Sequence, residues 1–232
     1  MGEMIKIDSL DGSGSFTVYQ AKPAGEPKAA ILVIQEIFGI NNGIRAKVDS
    51  WARQGYAAYA LDLFWRDTPG LELDPDVPEQ LQKAFEHFQK FDRDKGIEDI
   101  EATIRFARAA TGKKVGVTGY CLGGLMTYLA ATRTDTDASA AYYGGGINNF
   151  LNESHALARP LLMHFAEKDH FIPLEAITQI KDAFAGNPRV QIHTYADVDH
   201  GFATEFGSRR VEAAATLADS RTEAFFAEHL DG

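Results

Sequence analysis

Apolar residues fall into two kinds of run along this chain. Residues 4–7 and 15–20 alternate and read as short strands around a Gly-rich turn at 11–14. From residue 29 onward the runs become continuous. Residues 29–34 (AAILVI) are apolar throughout, and 57–63 and 114–118 (KVGVT) are largely so, as expected of strands covered on both faces of a parallel sheet. Helical periods lie between them. A helix is predicted over 42–53, ended by Gly55. Two more follow a loop at 67–78 rich in Pro and Asp. The second carries Ile97, Ile100, Ile104 and Ala107 on one face and stops at Gly112. The remainder reads as helix 122–132, strand 138–143, strand 160–165, helix 174–185, strand 190–195 and a C-terminal helix over 208–229. Strands alternating with helices predict an α/β fold, a mostly parallel central sheet with helices on both faces. No linker, repeat or low-complexity tract interrupts the pattern, so one domain over 1–232 is expected.

Composition narrows the function. The net charge of -10 argues against nucleic acid as a partner, since phosphate binding needs a basic patch. No apolar run approaches the roughly 18 residues of a membrane span. Residues 1–8 hold no apolar signal core, so a cytoplasmic protein with no membrane partner is expected. A single cysteine excludes an intramolecular disulfide and leaves the thiol as inert core or as a nucleophile.

The setting of that cysteine decides between the two. Residues 115–124 read VGVTGYCLGG: a buried strand runs into Gly119-Tyr120-Cys121-Leu122-Gly123 and directly into a helix. This is the G-x-nucleophile-x-G elbow in its strand–turn–helix context. The turn is tight, and small residues two before and two after let neighbouring backbone approach. The sulfur then sits at a helix N-terminus, whose dipole favours thiolate. The Leu122 N–H points where an oxyanion would develop.

A nucleophile of this kind needs a base and an orienter, in the chain order nucleophile, acid, histidine. Asp169 follows the strand at 160–165, and His200 follows the strand at 190–195. Both stand just past the carboxyl ends of strands, where sites form in open α/β sheets. His170 is the rival base. His164 and His193 lie inside strands and read as structural. Asp197 and Asp199 are too near His200 in sequence to orient it easily. With His200 they could ligate a metal, but no matching cluster exists elsewhere, so no metal is expected. The loop at 35–39 (QEIFG) follows the first buried strand and should offer the second oxyanion donor, the Ile37 N–H.

Taken together, QEIFG at 35–39, GYCLGG at 119–124, YYGGG at 142–146, Asp169-His170-Phe171 before Pro173, and His200-Gly201-Phe202 resemble the dienelactone hydrolase family over nearly the whole chain. The resemblance implies an α/β-hydrolase fold, a Cys-His-Asp triad of Cys121, His200 and Asp169, and no cofactor. It implies hydrolysis of a small-molecule ester or lactone through a thioacyl-enzyme. It also makes Glu36 a partner of the cysteine that helps generate the thiolate, and Tyr142 an aromatic lining the pocket. Phe38 and Arg66 are further candidates for contact with substrate. Well-known members carry an Arg four residues after the catalytic His and another in the helix after the Pro-rich loop. Here Thr204 and a helix offering only Lys83 stand instead. Weak discrimination between a carboxylated lactone and its neutral methyl ester, or preference for the neutral one, is therefore expected unless Arg66, Arg209 or Arg210 takes the role. A thioesterase, carboxylesterase or peptidase on the same fold is the alternative enzyme reading. A ligand-binding receptor with a slow residual site is the alternative from another class. Monomer and homodimer are both open.

Overall fold

The continuous apolar runs become the centre of one eight-stranded sheet in the computed structural model, which describes residues 2–231. The strands are β1 (Glu3–Asp8), β2 (Ser15–Ala21), β3 (Ala30–Ile34), β4 (Ala57–Leu61), β5 (Val115–Tyr120), β6 (Ala138–Tyr142), β7 (Leu161–Ala166) and β8 (Val190–Tyr195). Their spatial order is β1-β2-β4-β3-β5-β6-β7-β8. β1, β2 and β4 pair antiparallel, and every pairing from β4 through β8 is parallel. Every residue of β3, β4, β5, β6 and β7 is buried, whereas β1 alternates. That contrast is why the central strands read as unbroken apolar runs and the edge does not.

Helices cover both faces. α1 (Asn42–Arg53) starts where the Asn41 side chain accepts the Ile44 N–H at 3.1 Å, and it buries Ile44, Val48, Trp51 and Ala52. It meets α6 (Glu212–Leu230) through Trp51 and Phe226, whose rings lie 5.5 Å apart. On the other face α3 (Arg93–Thr111) is capped by Asp92 and ended by Gly112 at φ 67°. It packs against α4 (Leu122–Arg133). α4 is buried from Leu122 to Ala131, enclosed by β5, β6, α3 and a 3-10 segment (Ile147–Ala156). α5 (Leu174–Ala183) packs on that same segment. α2 (Pro78–Lys90) is different: Ala84 is its one buried residue.

Three boundaries depart from the sequence reading. β4 ends at Leu61 because the Asp62 carboxylate accepts the N–H groups of Phe64 (3.0 Å) and Gly70 (2.7 Å), which turns the chain into a loop. α6 begins at Glu212 rather than near residue 208, since Ser208 is held by Asp76 and Arg209 reaches across to Glu36. The 3-10 segment carries no clear period and was read as neither helix nor strand. Among the described residues no helix is long and apolar enough to cross a membrane.

The elbow depends on contact between backbones. A Cβ on Gly119 would collide with the Gly123 carbonyl, and one on Gly123 with the Ile34 carbonyl of β3. Gly123→Ala should therefore lower stability by about 1–3 kcal/mol, the usual cost of overpacking a tight core. Urea unfolding of the two proteins is the check, and an unchanged midpoint would mean that the close approach is not needed.

Candidate active site

The β5 strand delivers Cys121 to the carboxyl edge of the sheet with φ 56° and ψ -114°, a conformation that L side chains rarely adopt. Such a residue carries about 1–3 kcal/mol of strain and persists only where its surroundings over-determine it. Here the Cys121 N–H donates to the Tyr142 carbonyl of β6 at 3.1 Å. Its own carbonyl accepts from Gly124 at 2.9 Å as α4 begins. The sulfur stands at the N-terminus of α4, half-exposed. Ile37 and Leu122 sit beside it in the wall of the same cleft, and neither N–H donates to a backbone carbonyl.

The loops after β7 and β8 bring the base and its orienter together. Asp169 Oδ2 accepts from His200 Nδ1 at 2.8 Å, with both side chains almost fully buried. The other Asp169 oxygen accepts the N–H groups of Phe171 (2.9 Å) and Ile172 (3.1 Å), so the carboxylate is fixed from both sides. His200 Nε2 is buried and makes no hydrogen bond. Burial pulls the imidazolium pKa down, but the charge on Cys121 and the bond to Asp169 outweigh it, and the pKa is pushed up to about 10. His170 lines the same cleft, its ring 6.4 Å from that of His200, but it takes no part in this pairing. It is exposed, its Nδ1 binds Asp199 at 2.8 Å, and its ring lies against Phe171. Asp199 also accepts the backbone N–H groups of His170 and His200, tying the two loops to each other. Asp197 is exposed and paired with Lys168 at 2.6 Å. Among the described residues no group of three or more His, Cys, Asp or Glu is placed to hold a metal.

Glu36 is buried, and its partner is Arg209 rather than the sulfur: the guanidinium lies 3.3 and 3.5 Å from the two carboxylate oxygens. Burial alone would weaken the Arg209 charge, but Glu36, Tyr143 and Cys121 more than restore it. Its guanidinium also stacks over Phe38 at 5.3 Å, and both residues wall the cleft beside Cys121. Arg209 thus places a guanidinium in the cleft wall, paired with Glu36.

Two sequence expectations fail here. Tyr142 does not face the cleft. As the last residue of β6 it points under the sheet, where its hydroxyl meets Asp219 (2.9 Å) and Thr222 (2.7 Å) of α6. The next residue, Tyr143, has φ 36°, and that turn lays its ring 5.0 Å from the His200 ring. The Tyr143 hydroxyl is buried without a partner, and burial together with the Glu36 charge holds its pKa well above the usual phenol range. Arg66 is also elsewhere. It binds Asp99 at 2.8 Å and Asp11 at 3.1 Å and stacks on Trp65, because Asp99 is 1% exposed and its buried charge requires a cation. His164 is structural, bonded to Tyr195 (2.8 Å) and Thr222 (2.9 Å), and burial depresses its pKa well below normal.

The cleft encloses about 550 Å³. Sequence reasoning missed most of its apolar wall: Leu81, Phe85 and Phe88 of α2, Phe150 and Phe171. A signal did exist. Leu81, Phe85 and Phe88 recur at helical spacing on a helix that buries almost nothing else, so their face had to cover something.

Comparison with known proteins places this geometry in context. Residues 16–230 match the profile of the Dienelactone hydrolase family. A carboxymethylenebutenolidase of Pseudomonas putida is 39% identical over 227 residues, covering 97% of this chain and 96% of the relative. Carboxymethylenebutenolidase 1 of Cupriavidus pinatubonensis is 34% identical over 224 residues, covering 96% and 95%. A solved structure from Klebsiella pneumoniae superimposes with a TM-score of 0.84 at 25% identity, covering 99% of this chain and 100% of that one.

Two substitutions separate the candidate bases. His200→Gln should lower turnover of an activated ester by several orders of magnitude, while His170→Gln should cost less than about tenfold. Steady-state rates with p-nitrophenyl acetate decide it, and the reverse ranking would reassign the base.

Proposed function

The chain belongs to the dienelactone hydrolase family and shares its α/β-hydrolase fold, and from that premise we propose a cysteine-dependent hydrolase of esters or lactones. The observation that carries this reading is the positive-φ Cys121 at the head of α4, beside a buried His200–Asp169 pair. Cys121 attacks the carbonyl carbon as a thiolate. The charge that moves to the carbonyl oxygen is received by the Ile37 and Leu122 N–H groups. His200, carrying the thiol proton, returns it to the leaving alkoxide, and a thioacyl-enzyme remains. His200 then takes a proton from water, which attacks the thioester, and Cys121 leaves as thiolate. Asp169 holds the imidazole in the orientation that both steps need.

Glu36 and Arg209 add a second layer. A carboxylate near the sulfur opposes the thiolate unless it is neutralised, and Arg209 neutralises it at 3.3 Å. A substrate carboxylate close to the scissile bond can pair with the same guanidinium, which lies in the cleft wall beside Cys121. Anionic groups close to the scissile bond then favour turnover, and the absence of an Arg at position 204 does not by itself remove that preference.

Two measurements test this reading. Cys121→Ala should abolish hydrolysis of p-nitrophenyl acetate with an unchanged circular dichroism spectrum, and near wild-type turnover in that variant would end the proposal. The second is the pH profile. The His200 pKa is raised above its ordinary value of 6.5 to about 10, so the proton is held through neutral pH and lost as pH rises through about 10. The active thiolate–imidazolium pair, which titrates as a unit, should therefore lose activity on the alkaline side near pH 10. By the same sign the pairing stabilises the folded state fully below about pH 6.5 and progressively less up to about pH 10. An alkaline limb near pH 7 in kcat/KM would contradict the ion-pair state.

A further inference from the structure

We propose that the cleft holds an anion subsite at Arg93, remote from Cys121, and that it selects esters whose apolar acyl chain ends in a carboxylate or similar anion. This rests on the reading of Cys121 as the nucleophile and adds the substrate class.

The first observation concerns charge. The protein is acidic overall at -10, yet no Asp or Glu lines the cleft, whose charged walls are Arg93 and Arg209. An acidic chain that keeps carboxylates out of one cleft and places guanidinium groups there favours an anion locally.

The second observation concerns availability. Arg209 is engaged by Glu36. Arg93 forms no ion pair and no hydrogen bond among the described residues, and its one described contact is with the Phe150 ring, 5.8 Å from the guanidinium carbon. The acids around it are already occupied. Asp92 caps α3 through the N–H groups of Asp94 and Lys95, and Asp94 and Glu153 both bind Arg133. Arg133 lies over the same Phe150 ring, so the aromatic carries a cation that is neutralised and one that is not. Arg93 is exposed with its guanidinium over the Phe150 ring, so a carboxylate at the end of an apolar chain can pair with it without displacing another partner.

The third observation is distance along the cleft. Tyr128 of α4 donates to the Phe150 carbonyl at 3.1 Å. Arg133, the last residue of α4, reaches Asp94 next to Arg93 at 2.8 Å, so Arg93 stands toward the end of that helix away from Cys121. Between them the wall is apolar, with Leu125, Phe85 and Phe88. A ligand that reaches both ends must therefore be apolar in its middle and anionic at its far end. Its charge is separated from the scissile carbonyl by several methylene groups or an aromatic ring, which a compact carboxylated lactone does not provide.

The experiment compares p-nitrophenyl monoesters of straight-chain dicarboxylic acids of increasing length with p-nitrophenyl alkanoates of matched length. The quantity read is the ratio of kcat/KM for the two at each length. At low salt the ratio should rise with chain length to about tenfold, the effect of one charge-assisted contact, and fall toward one in high salt. Arg93→Gln should remove the rise, Arg93→Lys should keep part of it, and Arg105→Gln, a loss of the same charge elsewhere on α3, should leave it unchanged. A rise that survives Arg93→Gln, or a ratio highest for the shortest diacid, would overturn the subsite; the second outcome would put the anion on Arg209. Monoanilides of the same diacids, set against alkananilides, are scored for protection of Cys121 from iodoacetamide. This readout needs no turnover. Protection that favours the long ω-carboxylates and depends on Arg93 supports the subsite even if the esters are not hydrolysed, and equal protection by both series overturns it even if they are.

Discussion

A single pinched point organises this molecule: the backbone at Cys121, held at positive φ between two neighbouring strands. Its N–H is fixed by the Tyr142 carbonyl on one side, while Gly123 lies against the Ile34 carbonyl on the other. Three parallel strands, β3, β5 and β6, must hold their spacing and register for both contacts to exist. The strain in the turn is therefore supported by the most deeply buried part of the sheet. The same geometry aims the sulfur out of the sheet edge, starts α4 at once and leaves the Ile37 and Leu122 N–H groups beside the sulfur. The catalytic apparatus is thus a consequence of how three strands pack, with the remaining parts brought to it by loops.

Those loops face an electrostatic difficulty. Three carboxylates, Asp169, Asp199 and Glu36, stand in the loops around the candidate site, where the proposed nucleophile would become negative. Each is tied to a different partner. Asp169 spends one oxygen on two backbone N–H groups and the other on His200. Asp199 binds His170 and the backbone between the loops. Glu36 is paired with Arg209. With these carboxylates held by other partners, the His200 side chain and the α4 N-terminus are left beside Cys121 in the cleft.

How much of this the sequence discloses depends on whether the controlling physics is local. The buried strands announce themselves, since a strand enclosed on both faces must be apolar throughout, as at residues 30–34. The elbow does too, because a tight turn restricts side-chain size at fixed offsets. Which way a side chain turns at the end of a strand is not local. Tyr142 and Tyr143 are the same residue type one position apart, and a single backbone angle, φ 36° at Tyr143, sends one to α6 and the other to His200. Long-range charge partners are equally hidden. Arg66 looked available, but Asp99, 33 residues away, takes it. Arg209 serves the site only because the chain between residues 200 and 212 stays irregular, and Glu36, 173 residues away, is its partner.

The cover of the cleft follows another rule. α2 buries only Ala84, and its apolar face of Leu81, Phe85 and Phe88 lies along the cleft rather than in the core. Phe171 on the opposite rim is 51% exposed, and its ring stands 6.1 Å from that of Phe85. A helix in this position lacks the packing that fixes α1, α3 and α4. An apolar ligand segment between α2 and Leu125 would cover part of that face, at about 25 cal/mol for each Å² of apolar surface removed from water. The aromatic wall gives affinity for apolar length in general, and selection among apolar ligands falls to the charged groups at its ends. That division suits the proposed hydrolase, in which the proposed nucleophile is fixed by the sheet and specificity would be carried by elements outside it.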